Sequence, residues 1–350
     1  MTADLDVSAL LEAHLPHGVA AAVAVIQDGE LRERRVVGYA NLEWSVPATP
    51  DTVFRLASLT KPFTAMAVMA LAEAGRLELD AAVGDVLPEA PVHTRGVKLI
   101  HLLNHTSGII DYLALPGFWD GPSRRAVQLD EACRYFLDQP LQSEPGVRYA
   151  YSNSGYVLLG KIIEIVCGAP YADVLKERLF EPLGLRRTFH AHVAPIICGR
   201  AAGYTHGEDG LLNAPFMSMT WPHASGALGS TLDDMIIWDG ALTQRRLLSE
   251  AAYRRMAEPA ILADGSPAPY GIGWQLGDYA GLRCIHHSGA MNGFSNHHLR
   301  IPEIDLSVIF LSNIGKLNST LLVLSIVDMA FGLDPSRPGA PEKTFTFGHG

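Results

Sequence analysis

Strand-like segments stand at the two ends of this chain, and helical patterns fill the middle. Near the start, the apolar run Val19 to Ile26 and the return from Glu30 to Tyr39 flank Asp28-Gly29, a pair suited to a tight hairpin turn. Near the end, Tyr270 to Leu276, Cys284 to His287, Asn296 to Ile301 and Leu306 to Leu311 read as strands, the last two joined at Pro302-Glu303. The simplest assembly of such segments is one antiparallel sheet built from both ends, with helices packed on it. Helical patterns cover Val7 to Leu15, Ser58 to Gly75, Lys98 to Leu103, Leu129 to Gln139, Ser154 to Val166 and Tyr171 to Leu179. Another begins at Asp233, capped by Ser230 or Thr231 and carrying Trp238. A last one runs from about Leu317 to Phe331, before a Pro/Gly-rich tail. The expected fold is α+β: one antiparallel sheet flanked by helices, with a mostly helical domain inserted. The division expected is residues 1–66 plus 226–350 against 67–225.

The chain has 350 residues, 48% hydrophobic and 18% charged, enough to bury a core without staples. Its net charge of −10 argues against nucleic-acid and anionic-membrane partners, which select basic surfaces. The acidic opening MTADLDVSALLEAHLPHG lacks a basic segment followed by an apolar one, so no secretory signal is read and a cytoplasmic protein is expected. The stretch Leu321 to Leu333 is interrupted by Asp328 and reads as a packed helix, not a membrane span. Cys133, Cys167, Cys198 and Cys284 form no C-x-x-C pair and are expected as free thiols. His286-His287 and His297-His298 suggest a metal at first sight. Neighbours on a strand point to opposite faces, so neither pair chelates from one side. No metal or cofactor is expected, and the sequence leaves the oligomeric state open.

No G-x-S-x-G elbow, H-E-x-x-H helix or Walker A loop is present. Three short patterns carry chemistry instead. In Ser58-Leu59-Thr60-Lys61 the two ends share a helix face, so the amine reaches the hydroxyl. Apolar neighbours Phe54, Leu56 and Phe63 supply the desolvation that turns a lysine into a base. Tyr151-Ser152-Asn153 offers a phenol for proton transfer and an amide for a substrate carbonyl. His287-Ser288-Gly289 ends a strand, where a glycine admits a close ligand and strand amides hold an oxyanion. Each has a plainer reading alone: a helix start with a surface lysine, a turn with a capping Asn, a strand end with a histidine.

Taken in order, Ser-x-x-Lys, Tyr-x-Asn and His-x-Gly resemble the signature of the serine β-lactamase and penicillin-recognising superfamily. The likeness is to its class C β-lactamase and D,D-peptidase branch, peptidase family S12, which includes family VIII-type esterases. VFRLASLTKPFTA, LIHLLNHTSGI (Leu99 to Ile109), ASGALGSTLDDMIIW (Ala224 to Trp238) and VIFLSN (Val308 to Asn313) are similar too, so the resemblance spans about Leu10 to Leu333. It implies a β-lactamase/transpeptidase-like fold with the site in a groove between two domains. By the same resemblance, Ser58 is the nucleophile, and Lys61 and Tyr151 exchange its proton. Asn153 binds the substrate amide, with Ser288 and Gly289 alongside. His287 supplies a cation or hydrogen bond toward Tyr151. The backbone amides of Ser58 and Ala290 form the oxyanion hole. His-Ser-Gly replaces the Lys-Thr-Gly of many relatives, and Ala290 lacks the hydroxyl that would help hold a substrate carboxylate.

The expected activity is a serine hydrolase forming an acyl-enzyme on a small ester, amide or short peptide: D-amino-acid peptidase or amidase, carboxylesterase, or weak β-lactamase. Acyl transfer to another acceptor is an alternative, and a non-catalytic scaffold with the same fold is the rival from another class. Tyr112, Phe118 and Trp119 are expected as a lid, Trp221 and His223 as the facing wall, and His105 as a structural residue bonding backbone across the groove.

Overall fold

The computed structural model describes residues 5–331, so the Pro/Gly-rich tail beyond Phe331 and the last two residues of the Leu321–Leu333 stretch lie outside the described residues. Six strands form the main sheet: β1 (Ala21–Gln27), β2 (Glu30–Val37), β3 (Gln275–Tyr279), β4 (Leu282–Met291), β5 (Phe294–Ile301) and β6 (Leu306–Ser312). Their spatial order is β3-β4-β5-β6-β1-β2, and every pairing is antiparallel. The two ends of the chain meet at β1 and β6, with Ala21 opposite Ser312 and Gln27 opposite Leu306. Asp28 and Gly29 both adopt positive φ, 53° and 73°, the geometry of the two-residue hairpin between β1 and β2.

Five helices matter for the site: α1 (Ser8–His14), α2 (Thr60–Glu73), α3 (Asn153–Cys167), α4 (Leu232–Thr243) and α5 (Ser319–Phe331). The run Ala21–Val25 is apolar without alternation because both sheet faces are covered. Val23, Val25, Val308 and Phe310 pack with α1 and α5 on the outer face. Ala22, Ala24, Ile309 and Leu311 join the larger core with α2, α3 and α4 on the inner face. Thr231 caps α4 by accepting the Asp234 N–H, and Phe63 of α2 stacks on Trp238 of α4 at 4.0 Å. Helix α2 is buried around its whole circumference through its first ten residues, which makes it the axis of the molecule.

Some element boundaries differ from the sequence expectation. Tyr270 to Leu276 is not a strand: residues 270–274 fold into a tight turn, with Gly271 N–H donating to Trp274 O and Gly273 at φ +80°, and β3 begins at Gln275. Alternating apolar residues mimic a strand there while the glycines break it. The strand expected over Cys284 to His287 continues to Met291 and so carries the whole His-Ser-Gly pattern. Ser58 lies in a 3₁₀ turn, Ala57–Leu59, just before α2. The sequence reading also missed a small sheet of Phe54–Arg55, Leu228–Ser230 and Phe189–His190, whose strands are too short to show a pattern.

Candidate active site

The first two motifs converge on Lys61. It is fully buried, and Nζ has three oxygen partners: Ser58 Oγ at 3.2 Å, Asn153 Oδ1 at 2.8 Å and Ser225 O at 2.8 Å. The Tyr151 ring centroid lies 4.8 Å from the same nitrogen. Burial lowers the Lys61 pKa from its ordinary value to about 7, and the Asp111 carboxylate opposes that fall. Such an amine is neutral for a large fraction of the time near pH 7, the state in which its lone pair can take a proton. Burial also drives the Tyr151 phenol well above its ordinary range, offset in part by contact with Ser58. Tyr151 is therefore a neutral phenol at ordinary pH, not a standing phenolate.

The backbone around Ser58 is held from three sides. Ala57 adopts φ +51°, a conformation costly for a residue with a Cβ. Asn296 Nδ2 donates to Arg55 O and Leu56 O, and its Oδ1 accepts from Ser312 N–H. On β4, a Cβ at Gly289 would stand 2.3 Å from Leu56 O. The sequence reading gave Gly289 to a close-approaching ligand; the structure shows the chain's own Leu56 and Leu59, on either side of Ser58, occupying that space.

His287 lies on the inner face of β4, fully buried. Its Nδ1 is 2.6 Å from Ser288 O, so Nδ1 carries the proton, and Nε2 accepts from the Tyr270 hydroxyl at 2.9 Å. Both ring nitrogens are thus taken, and the Tyr151 ring centroid is 6.2 Å away. The direct link to Tyr151 expected from the sequence is replaced by one to Tyr270. Burial, then the Lys61 charge, lower the His287 pKa to about 3, so the ring is neutral at ordinary pH. The Ser288 N–H is taken by Gln275 Oε1. His105, at φ +60°, accepts from Ser152 N–H, and its carbonyl accepts from Ala150 N–H, which clamps the segment carrying Tyr151.

Ser58, Asn153 and Ala290 open onto a cavity of about 470 Å³. Tyr112 and Trp119 line it, Tyr112 buried and Trp119 half exposed, whereas Phe118, the third residue of the expected lid, is fully buried and is not among the lining residues. Trp221 and His223 are not among its lining residues. Trp221 is turned away, its indole N–H shared between Pro122 O and Arg125 O. His223 packs behind α3, 3.6 Å from Glu164 Oε1 and against Gly160. Their neighbours Pro222, Ser225 and Gly226 form that wall instead. Sequence reasoning also missed Asp111, Ser225 and Tyr270. Asp111 had a usable signal, as a lone charge in the apolar run after LLNHTSG, whereas Ser225 acts through its backbone carbonyl, which no side-chain pattern reveals.

The histidine pairs divide between the two faces of the sheet. His298 faces inward, and its Nε2–H donates to Asp239 Oδ1, 2.8 Å away. His286 and His297 share the outer face, their rings stacked at 5.3 Å. Among the described residues no group of three or more His, Cys, Asp or Glu side chains is placed to hold a metal ion, and no helix is long and apolar enough to cross a membrane.

The family described as Beta-lactamase matches residues 9–325. The chain belongs to the β-lactamase family. Among its relatives is a D-aminopeptidase of Gluconobacter oxydans (strain 621H), 34% identical over 306 residues, which cover 87% of this chain and 57% of the relative. Another is penicillin-binding protein 4* of Bacillus subtilis (strain 168), 32% identical over 307 residues, covering 83% and 67%. The chain thus spans about three-fifths of the length of these relatives. D-amino acid amidase from Ochrobactrum anthropi SV3, solved with L-phenylalanine, superposes with a TM-score of 0.81 at 26% identity, over 93% of this chain and 98% of that one. This β-lactamase-family chain has the β-lactamase/transpeptidase fold.

Proposed function

We propose that this chain is a serine hydrolase that cleaves small amides or short peptides, with amides of D-amino acids as the first substrates to consider. The observation that carries the reading is the Lys61 amine: buried, shifted toward neutrality and 3.2 Å from Ser58 Oγ. Neutral Lys61 takes the Ser58 proton while Oγ attacks the substrate carbonyl carbon. The carbonyl oxygen becomes an oxyanion facing the backbone N–H groups of Ser58 and Ala290. Tyr151 passes a proton to the leaving amine, the C–N bond breaks, and the acyl group stays on Ser58. Water then attacks the ester, delivering its proton through the same groups, and frees the acid. His287 stands behind this relay as a neutral, hydrogen-bonded ring that fixes Tyr270.

The names of the relatives, D-aminopeptidase and D-amino acid amidase, support the choice of substrate class. The test is a panel of D- and L-amino-acid amides, p-nitrophenyl esters and a chromogenic cephalosporin, run on the wild type and Ser58→Ala. D-amide hydrolysis that vanishes in Ser58→Ala is expected. Activity that survives Ser58→Ala refutes the nucleophile, and turnover of esters or cephalosporin without amides refutes the substrate class.

A further inference from the structure

Asp111 lies outside the three motifs, yet it decides how one of them is oriented. Its Oδ2 accepts from Asn153 Nδ2 at 2.9 Å, and its Oδ1 accepts from Leu113 N–H at 3.2 Å. The opposite end of the same amide, Asn153 Oδ1, faces Lys61 Nζ at 2.8 Å. An amide standing between two groups has two orientations related by a flip. An ionised carboxylate only accepts, so Asp111 holds Nδ2 toward itself and Oδ1 toward the lysine.

That orientation matters because a neutral amine has two N–H bonds and one lone pair. Ser225 O is a fixed acceptor for one N–H, and Asn153 Oδ1 is the acceptor for the other. The third direction, toward Ser58 Oγ, is left to the lone pair. With the amide reversed, Asn153 would donate into that lone pair, and the base would be spent on Asn153 instead of Ser58. We propose that Asp111 is a positioning residue for acylation, which aims the lone pair of Lys61 at Ser58 by locking the Asn153 amide. The proposal rests on the Ser58–Lys61 reading given above.

Asp111 also acts on Lys61 through its charge. The groups facing the amine are the Tyr151 and Tyr156 rings, with centroids at 4.8 and 5.5 Å, the imidazoles of His105 and His287, and the Asp111 carboxylate. The imidazoles are neutral and the phenols protonated, because burial holds each in its uncharged form. Asp111 is thus the counter-charge that stabilises the ammonium. Burial raises its own pKa, while the Leu113 and Asn153 hydrogen bonds and the Lys61 charge oppose that rise.

The two effects have separable signatures. The measurement is the rate of Ser58 acylation by an uncharged fluorophosphonate, followed from pH 5 to 10 on the full chain, with the labelled peptide identified by mass. Asp111→Asn keeps the shape and removes the charge. The plateau rate is expected to fall about 10- to 100-fold, toward the lower range of general-base contributions. The acid limb is expected to move to lower pH, because the ammonium has lost its counter-charge. Asp111→Glu keeps the limb in place. In an Asn153→Ala background, Asp111→Asn costs no further plateau rate but still shifts the limb. Asp111→Ser provides the same neutral test if Asp111→Asn does not fold. A wild-type plateau with an unmoved limb in the neutral variants overturns the proposal, as does an equal plateau loss with and without Asn153. Labelling at another residue, or labelling that persists in Ser58→Ala, overturns the Ser58–Lys61 reading itself.

Discussion

The structure makes a sharp statement about the charge of His287. With its pKa near 3, about one ring in 10⁴ is protonated at pH 7. Charging it there costs about 5 kcal/mol relative to doing nothing, more than any one hydrogen bond returns. The geometry agrees, since Nε2 accepts from Tyr270 and an imidazolium cannot accept. The acid limb of kcat/KM therefore belongs to Lys61, not to His287. Because neutral Lys61 is the working form and its pKa is near 7, the rate rises about tenfold per pH unit from 5 to 6 and levels off above 8. The assay is kcat/KM on an uncharged activated ester, compared between the wild type and His287→Asn. The variant lowers the plateau, because the Tyr270 contact is disturbed, and leaves the limb where it was. A profile that peaks below pH 6 and falls as the solution becomes alkaline, with that fall absent in His287→Asn, would show the imidazolium to be the working form and refute the argument.

Two further outcomes follow from the same geometry. Gly289→Ala forces β4 away from Leu56 O, an overpacking of about 1–3 kcal/mol, and lowers both the unfolding temperature and the acylation rate at Ser58; unchanged melting by calorimetry would contradict the close approach. Lys61→Ala and Tyr151→Phe each lose at least ~10²-fold in kcat/KM, and the double variant is little worse than the poorer single, whereas multiplicative losses would show that the two do not share one proton path.

The sheet was legible because its strands are long runs with clear turns, Asp28-Gly29 above all, and because strands at both ends with helices between assemble most simply into one sheet. The central helix was legible from its apolar run, with Pro62 in the first turn. Helix spacing linked Ser58 with Lys61, and the family resemblance of the motif order added Tyr151 and Asn153; the structure brings the four side chains together. What failed was orientation. Trp221 and His223 belong to the right segment, but the turn at Pro222 points them away, and no periodicity exists in a turn to say so. His287 was assigned to the wrong tyrosine, because its partner Tyr270 sits in a turn that reads as a strand. The histidines were paired along each strand, whereas register brings His286 and His297 together across two.

The pairing of β1 with β6 has a consequence for how the chain is made. About 270 residues separate Val37, the end of the first hairpin, from Leu306, the start of its neighbour strand. At a synthesis rate of roughly 5–20 residues per second, the hairpin waits about 15–55 s for that strand to leave the ribosome. Through that interval one edge of β1 carries unpaired amides beside an apolar run, the kind of surface that recruits foreign strands. Slower translation of the intervening residues lengthens that exposure.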